Sequence, residues 1–205
     1  MRVLLLIDLQ NDFMPGGALP VSGGDEVVAV ANAEMARFDH VVATQDWHPA
    51  DHGSFASQHA GASVGERVML GGLPQVAWPD HCIQGSHGAD FHPNLDQDGI
   101  RHVVQKGIHS NIDSYSGFFD NGRQHATGLE THLKEIGLTD QGELHVLGLA
   151  TDYCVKFTVL DALSLGYQVF VNLDGCRGVG MNPDDIQTAV KQMADAGAEM
   201  LPAPM

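Results

Sequence analysis

"LHVLGLATDYCV", Leu144 to Val155, decides the fold. The run Leu144-His145-Val146-Leu147 is β-rich without clean alternation, as expected of a strand buried on both faces of a parallel sheet. Gly148-Leu149-Ala150-Thr151-Asp152-Tyr153 then turns the chain, and a helical pattern follows over 152–165. Strand, tight turn and helix in direct succession form the repeating unit of a doubly wound α/β fold. The turn also sets Cys154 in the first turn of the helix, where unpaired N–H groups and the helix dipole favour a thiolate. A lone cysteine is as readily a small buried hydrophobe, so the remainder of the chain has to decide.

Outward from this stretch the same alternation recurs. β-rich runs lie at 3–7, 40–44, 102–105, 144–149, 168–173 and 199–201, and helical patterns at 25–37, 128–136, 152–165 and 184–196. Asn182-Pro183-Asp184 reads as an N-cap with proline at the first helical position, and Gly137, Gly166 and Gly197 each follow a helical run where a left-handed cap is expected. The expectation is a six-stranded parallel sheet with helices on both faces, in one domain spanning 1–205. The segment at about 46–100 breaks the order: rich in Gly, His, Pro, Ser and Asp, it shows neither period. Structureless connections beyond ~12–15 residues are uncommon in compact domains and are usually functional.

Composition narrows the function classes. At 43% hydrophobic and 18% charged residues the chain is ordinary globular material rather than disordered. Its formal net charge of −16, with no basic cluster, argues against nucleic acid or an anionic membrane surface as partner. The N-terminal apolar run is broken by Asp8, too early for a signal-peptide core or a membrane span. Three cysteines without metal-type spacing make a disulfide framework improbable, and a reducing, cytoplasmic setting is expected. Of twelve histidines, those at 48, 52, 59, 81, 87, 92, 102 and 109 crowd the middle of the chain, which hints at metal or proton chemistry.

In an open parallel sheet, ligands bind beyond the carboxyl ends of the strands. Just past the expected strands stand Asp8, then Gln45-Asp46-Trp47-His48, then Lys106, and finally the turn before Cys154. Each has an ordinary explanation alone; all on one rim is harder to reach by chance. Asp46 and His48, two apart on an extended chain, point to the same side and can share one cation. His52 and His81 are candidates for a third ligand, and mixed O/N donors suit zinc, iron(II) or manganese better than calcium or magnesium. Asp8, Lys106 and Cys154 form a second group: a carboxylate can take the thiol proton, a lysine favours charged neighbours, and N–H groups of the 150–154 turn can cradle an oxyanion.

Taken together, these positions resemble the nicotinamidase/pyrazinamidase family of isochorismatase-like cysteine hydrolases. The resemblance is carried in order by Leu5-Leu6-Ile7-Asp8-Leu9-Gln10-Asn11-Asp12-Phe13, Thr44-Gln45-Asp46-Trp47-His48-Pro49, Trp78-Pro79-Asp80-His81-Cys82, Gln105-Lys106-Gly107, Tyr115-Ser116-Gly117-Phe118 and Gly148 to Val155. It implies the isochorismatase-like hydrolase fold and a triad with Asp8 as general base, Cys154 as nucleophile and Lys106 holding both in charged form. It implies one divalent ion, zinc with iron(II) or manganese as alternatives, on Asp46, His48 and His81, with His52 or waters completing the sphere. It further implies a cis Leu149–Ala150 peptide, an oxyanion hole from the Ala150 and Cys154 N–H groups, and pyridine contacts from Phe13 and Trp78. The implied reaction is hydrolysis of nicotinamide, and also pyrazinamide, to the acid and ammonia through a thioester, in NAD salvage. The expected partner is the small-molecule substrate, with a homo-oligomer allowed.

Two competing readings remain. A carbamoyl hydrolase acting on another small amide would keep Asp8, Lys106 and Cys154 but has no need of Asp46, His48 and His81. A non-catalytic metal- or ligand-binding module would keep its function without Cys154. Cys82 and Cys176 are expected to be buried structural residues, and His59, His87, His125, His132 and His145 to be solvated or capping.

Overall fold

The structure, a computed structural model, describes residues 1–139 and 141–201. Its centre is a six-stranded parallel sheet in the order β5-β2-β1-β6-β7-β8. The strands are β1 (Arg2–Ile7), β2 (His40–Asp46), β5 (His102–Lys106), β6 (Glu143–Leu149), β7 (Gln168–Arg177) and β8 (Glu199–Leu201). Every residue of β1 after Arg2 is buried, as both-face coverage requires of a central strand. The helices are α1 (Glu26–Met35), α2 (Leu129–Glu135), α3 (Lys156–Ser164) and α4 (Asp185–Asp195).

From β1 the chain builds outward through β2 to β5, then returns to β6 on the other side of β1 and builds outward again. Right-handed crossovers make such a reversal place helices on opposite faces. α1 packs on β6 and β7, while α3 packs on β7 and against α4. The reversal leaves a crevice at the carboxyl ends of β1 and β6, the usual ligand position in open α/β sheets.

The structure corrects four sequence expectations. β2 and β5 run one or two residues further than expected, so Asp46 and Lys106 are the last residues of their strands rather than residues beyond them; they are register partners. β7 extends through Asp174-Gly175-Cys176-Arg177, and its pairing with β6 jumps from Val146↔Val171 to Gly148↔Cys176. α4 starts at Asp185 rather than after Asn182; the residues between form a turn in which the Asp185 N–H donates to Asn182 O at 3.2 Å and the Asp185 carboxylate accepts the Asn182 N–H. The 46–100 segment contains an antiparallel hairpin, β3 (Arg67–Leu70) and β4 (Leu73–Val76), turned by Gly71-Gly72. The expected caps at Gly137, Gly166 and Gly197 all have positive φ.

Cys82 and Cys176 are buried free thiols, as expected. His145 is not solvated: it lies buried between the Phe38 and Phe170 rings and bonds Glu143 through Nε2 at 2.7 Å. His132 stacks on His102.

Candidate active site

Asp8 is the first residue after β1 and has φ of 50°, a conformation unusual outside glycine. Thr44, on the neighbouring β2, fixes it twice: Asp8 N–H donates to Thr44 Oγ1 at 3.2 Å, and Thr44 Oγ1 donates to Asp8 Oδ1 at 2.6 Å. Thr44 and Asp46 sit two apart on one strand and so project to the same side. Gln10 clamps the Asp46 backbone, with Nε2 donating to Asp46 O and Oε1 accepting from Asp46 N, both at 2.8 Å.

Lys106 closes the group. Its side chain is fully buried, and Nζ lies 2.5 Å from Asp46 Oδ1, 3.0 Å from Asp8 Oδ2, 3.0 Å from Ser114 O and 3.3 Å from Cys154 Sγ. The Asp8 contact is an ion pair outside hydrogen-bond geometry, which leaves Oδ2 without a hydrogen bond among the described residues. A carboxylate oxygen from each of Asp8 and Asp46 lies within 4.8 Å of Cys154 Sγ. Cys154 belongs to a single π-type turn, Thr151–Val155, that runs directly into α3. In that turn Tyr153 and Val155 both donate to Ala150 O, and the preceding Leu149–Ala150 peptide is cis.

Electrostatics set the resting protonation. Burial pushes the Asp8 carboxyl up, Lys106 draws it back and Asp46 adds to the rise, leaving it at about 6. Burial also pushes the Cys154 thiol well above its ordinary value; Lys106 opposes this, but Asp8 and Asp46 reinforce it. Burial and the two carboxylates thus act against the preformed thiolate that a helix start favours. Burial opposes the charge on Lys106, yet Asp46, Asp8 and Cys154 raise it well above the usual lysine range.

Beside this group lies a second one. Single donor atoms of Asp46, His48 and His81 lie within 4.8 Å of one another, and all three residues are buried. His48 Nδ1 meets Gly107 O at 2.9 Å and His81 Nδ1 meets Pro79 O at 2.7 Å. A carbonyl only accepts, so in the neutral rings both Nδ1 atoms carry the proton and both Nε2 lone pairs are free for a cation. Gly107 is required here: a Cβ would meet the His48 ring at 2.3 Å, and its φ is +64°.

His52 is different. Its Nδ1 accepts the Ser54 N–H at 3.3 Å and lies 2.7 Å from Ser54 Oγ, so the neutral ring carries its proton on Nε2, which is buried and has no hydrogen bond among the described residues. His52, His48 and Asp113 also offer donor atoms within 4.8 Å of one another. Asp8 and Asp46 share one ammonium, and a third buried carboxylate, Asp113, lies beside His48 and His52, a negative balance that a divalent ion offsets. Two imidazole lone pairs and a carboxylate, on His48, His81 and Asp46, together fit such an ion.

The pocket over Cys154 is lined by Phe13, Trp78 and Ala150 together with Tyr115, Tyr153 and Asp113. Trp78 meets Tyr153 edge-on at 4.9 Å, and Phe13 meets His81 edge-on at 5.6 Å. The structure thus brings together every residue singled out from the sequence, with His52 at the far side of His48. Sequence reasoning gave no role to Thr44, Gln75 or Asp113. Strand alternation from Asp46 would have found Thr44. The Gly71-Gly72 pair between apolar residues would have found the hairpin that carries Gln75.

Comparison with known proteins agrees with this geometry. Residues 2–204 match the isochorismatase domain family. The chain is 55% identical over 203 residues to the nicotinamidase of Escherichia coli (strain K12), covering 97% of this chain and 93% of that one. An Acinetobacter baumanii nicotinamidase/pyrazinamidase structure superposes with a TM-score of 0.93 at 40% identity, over 98% of this chain and 95% of that one. The pyrazinamidase of Pyrococcus horikoshii, solved with zinc, gives a TM-score of 0.77 at 33% identity over 98% of each chain. The chain belongs to the isochorismatase family and, within it, to the nicotinamidase/pyrazinamidase group.

Proposed function

We propose that the protein is an amidohydrolase that converts nicotinamide and water to nicotinate and ammonia, with pyrazinamide as a second substrate, in one isochorismatase-like unit. One observation carries the reading: a single buried ammonium, Lys106 Nζ, touches both the Asp8 carboxylate and the Cys154 thiol.

Asp8, ionised near neutral pH, takes the Cys154 proton as the sulfur bonds to the amide carbon. The carbonyl electrons move to oxygen, and the Ala150 and Cys154 N–H groups are the donors for that oxyanion. Collapse breaks the C–N bond, and Asp8 returns the proton to the departing nitrogen, giving ammonia and a thioester. Water then loses a proton to Asp8 and adds to the thioester carbon. The C–S bond breaks, and Asp8 returns the proton to the leaving thiolate. The nicotinic acid so formed gives its proton to ammonia or solvent and leaves as nicotinate. Lys106 stays charged throughout and keeps the carboxylate and sulfur together. Phe13 and Trp78 hold the ring, and such positioning can lower the barrier by at most about 7–11 kcal/mol. A divalent ion on Asp46, His48 and His81, with zinc favoured by the Pyrococcus horikoshii structure, would supply a Lewis-acidic anchor for the ring nitrogen and a source of activated water.

The test is ammonia release from nicotinamide by wild type and Cys154→Ala, before and after chelation, with mass spectrometry of acid-quenched wild type. Turnover that needs both the thiol and the metal, with a nicotinoyl adduct on Cys154, is expected. No turnover by folded, metal-loaded wild type would overturn the reading.

A further inference from the structure

Gln75 lies on β4, in a hairpin outside the central sheet, yet its side chain is buried and reaches the active site. Its Nε2 donates to Asp113 Oδ2 at 2.8 Å and to Tyr115 OH at 2.8 Å, with Val76 O at 3.1 Å. Its Oε1 accepts from Asn121 Nδ2 at 3.3 Å, and Asn121 Oδ1 in turn accepts the Tyr115 N–H at 3.0 Å. The amide can sit only one way round, since a flipped Oε1 would face the Asp113 carboxylate. Asp113 Oδ1 takes the Ser114 N–H at 2.7 Å, so both carboxylate oxygens are fixed, beside His48 and His52. On the other side, Trp78 Nε1 also donates to Tyr115 OH, at 3.0 Å. The two amide protons of Gln75 therefore join the histidine side of the site to the aromatic wall of the pocket.

We infer that Gln75 is a positioning residue, which holds the Asp113 carboxylate against the His48–His52 side of the metal centre and, through the same amide, fixes the Tyr115–Trp78 wall over Cys154. The inference rests on the reading of Asp46, His48 and His81 as metal ligands. Its physical basis is electrostatic: a carboxylate held within 4.8 Å of the His48 and His52 donor atoms adds negative charge beside the cation site, and an Asp113 left free to turn away weakens that attraction. Asp113 offers an oxygen within 4.8 Å of donor atoms of His48 and His52, and Gln75 is the only side chain among the described residues that donates to it. A hairpin with no part in the sheet thereby acts on both cation and substrate.

The test uses zinc alone as the probe. Metal-freed wild type, Gln75→Leu, Asp113→Asn and the double variant are titrated with zinc against a chromogenic chelator. Thermal melts confirm folding, and kcat and KM for nicotinamide are measured separately on the loaded forms. Gln75→Leu is expected to weaken zinc about tenfold and to raise KM more than it lowers kcat. Asp113→Asn is expected to weaken zinc as much, and the double variant no more than Asp113→Asn alone, because Gln75 acts through Asp113. If Gln75→Leu does not fold, Asp113→Asn with unchanged zinc affinity overturns the inference. Unchanged zinc affinity and KM in a folded Gln75→Leu, whatever its melting temperature, also overturns it, and the metal reading survives. Wild type that binds no zinc overturns both.

Discussion

Asp46 and Lys106 face each other at the last rung of the β2–β5 pairing, and Lys106 Nζ reaches Asp46 Oδ1 at 2.5 Å. The contact joins two groups that the sequence presents separately. Asp46 lies with His48 and His81, and Lys106 with Asp8 and Cys154, so one buried ammonium electrostatically couples the candidate cation ligands to the Cys154 thiol.

Removing that ammonium leaves two buried carboxylates facing each other. Breaking a buried ion pair from one side costs about 3–5 kcal/mol, so Lys106→Met should lower the urea midpoint sharply and abolish ammonia release. A Lys106→Met protein as stable as wild type in urea would show that the Asp8–Lys106–Asp46 contacts contribute little to folding.

Asp8 carries a cost in stability. Its folded value of about 6 exceeds its unfolded value near 3.8. Its contribution to the stability of the metal-free protein is therefore complete below pH 3.8 and lost as pH rises through 6. Asp8→Asn, a neutral isostere, should stabilise the metal-free fold at pH 8 and give no gain at pH 4, while turnover is lost at every pH. Urea unfolding at the two pH values checks this; a variant less stable than wild type at pH 8 would mean that the attraction to Lys106 exceeds the burial cost. A bound cation adds positive charge nearby, so carbon-13 NMR should show the Asp8 titration moving below 6 on zinc loading.

Gly107→Ala should damage the cation site without unfolding the sheet. The new Cβ would press on His48, and the positive φ disfavours alanine. Purified Gly107→Ala is expected to hold less than a tenth of the wild-type metal by elemental analysis, with its far-ultraviolet dichroism unchanged. Full metal content would mean that the His48 ring can shift and still bind.

Gly148 lies on the other side of the crevice, and there the backbone itself is the constraint. A Cβ would sit 2.2 Å from Ile7 O, at a φ of +134°. This close approach of β6 to β1 brings the chain that carries Cys154 alongside the chain that carries Asp8. The glycine was visible in the sequence as part of the turn, but the need for it came only from the pairing of the two strands.

Much of the site was legible because α/β folds put function at strand ends. Apolar runs of four to seven residues mark strands buried on both faces, and a polar residue at the end of such a run has few structural reasons to be there. That logic picked out Asp8, Asp46, Lys106 and Cys154. It misplaced two of them by a residue or so, because a last strand residue and the first one past it look alike in sequence. His145 escaped for the opposite reason: a histidine inside a strand carries no sign that two phenylalanines will enclose it.

By itself, the sequence determined the strand–helix alternation, the six parallel strands, the family and a set of candidate site residues, because hydrophobic periodicity and short motifs are local properties. Tertiary structure alone decided that Lys106 touches both groups, that burial raises the Cys154 thiol, that His48 and His81 turn Nδ1 to backbone carbonyls, and that Gln75 reaches in from a hairpin. Each of these depends on distances between segments far apart in the chain and on burial. Charge interactions and desolvation act through space, and neither is written in the order of residues.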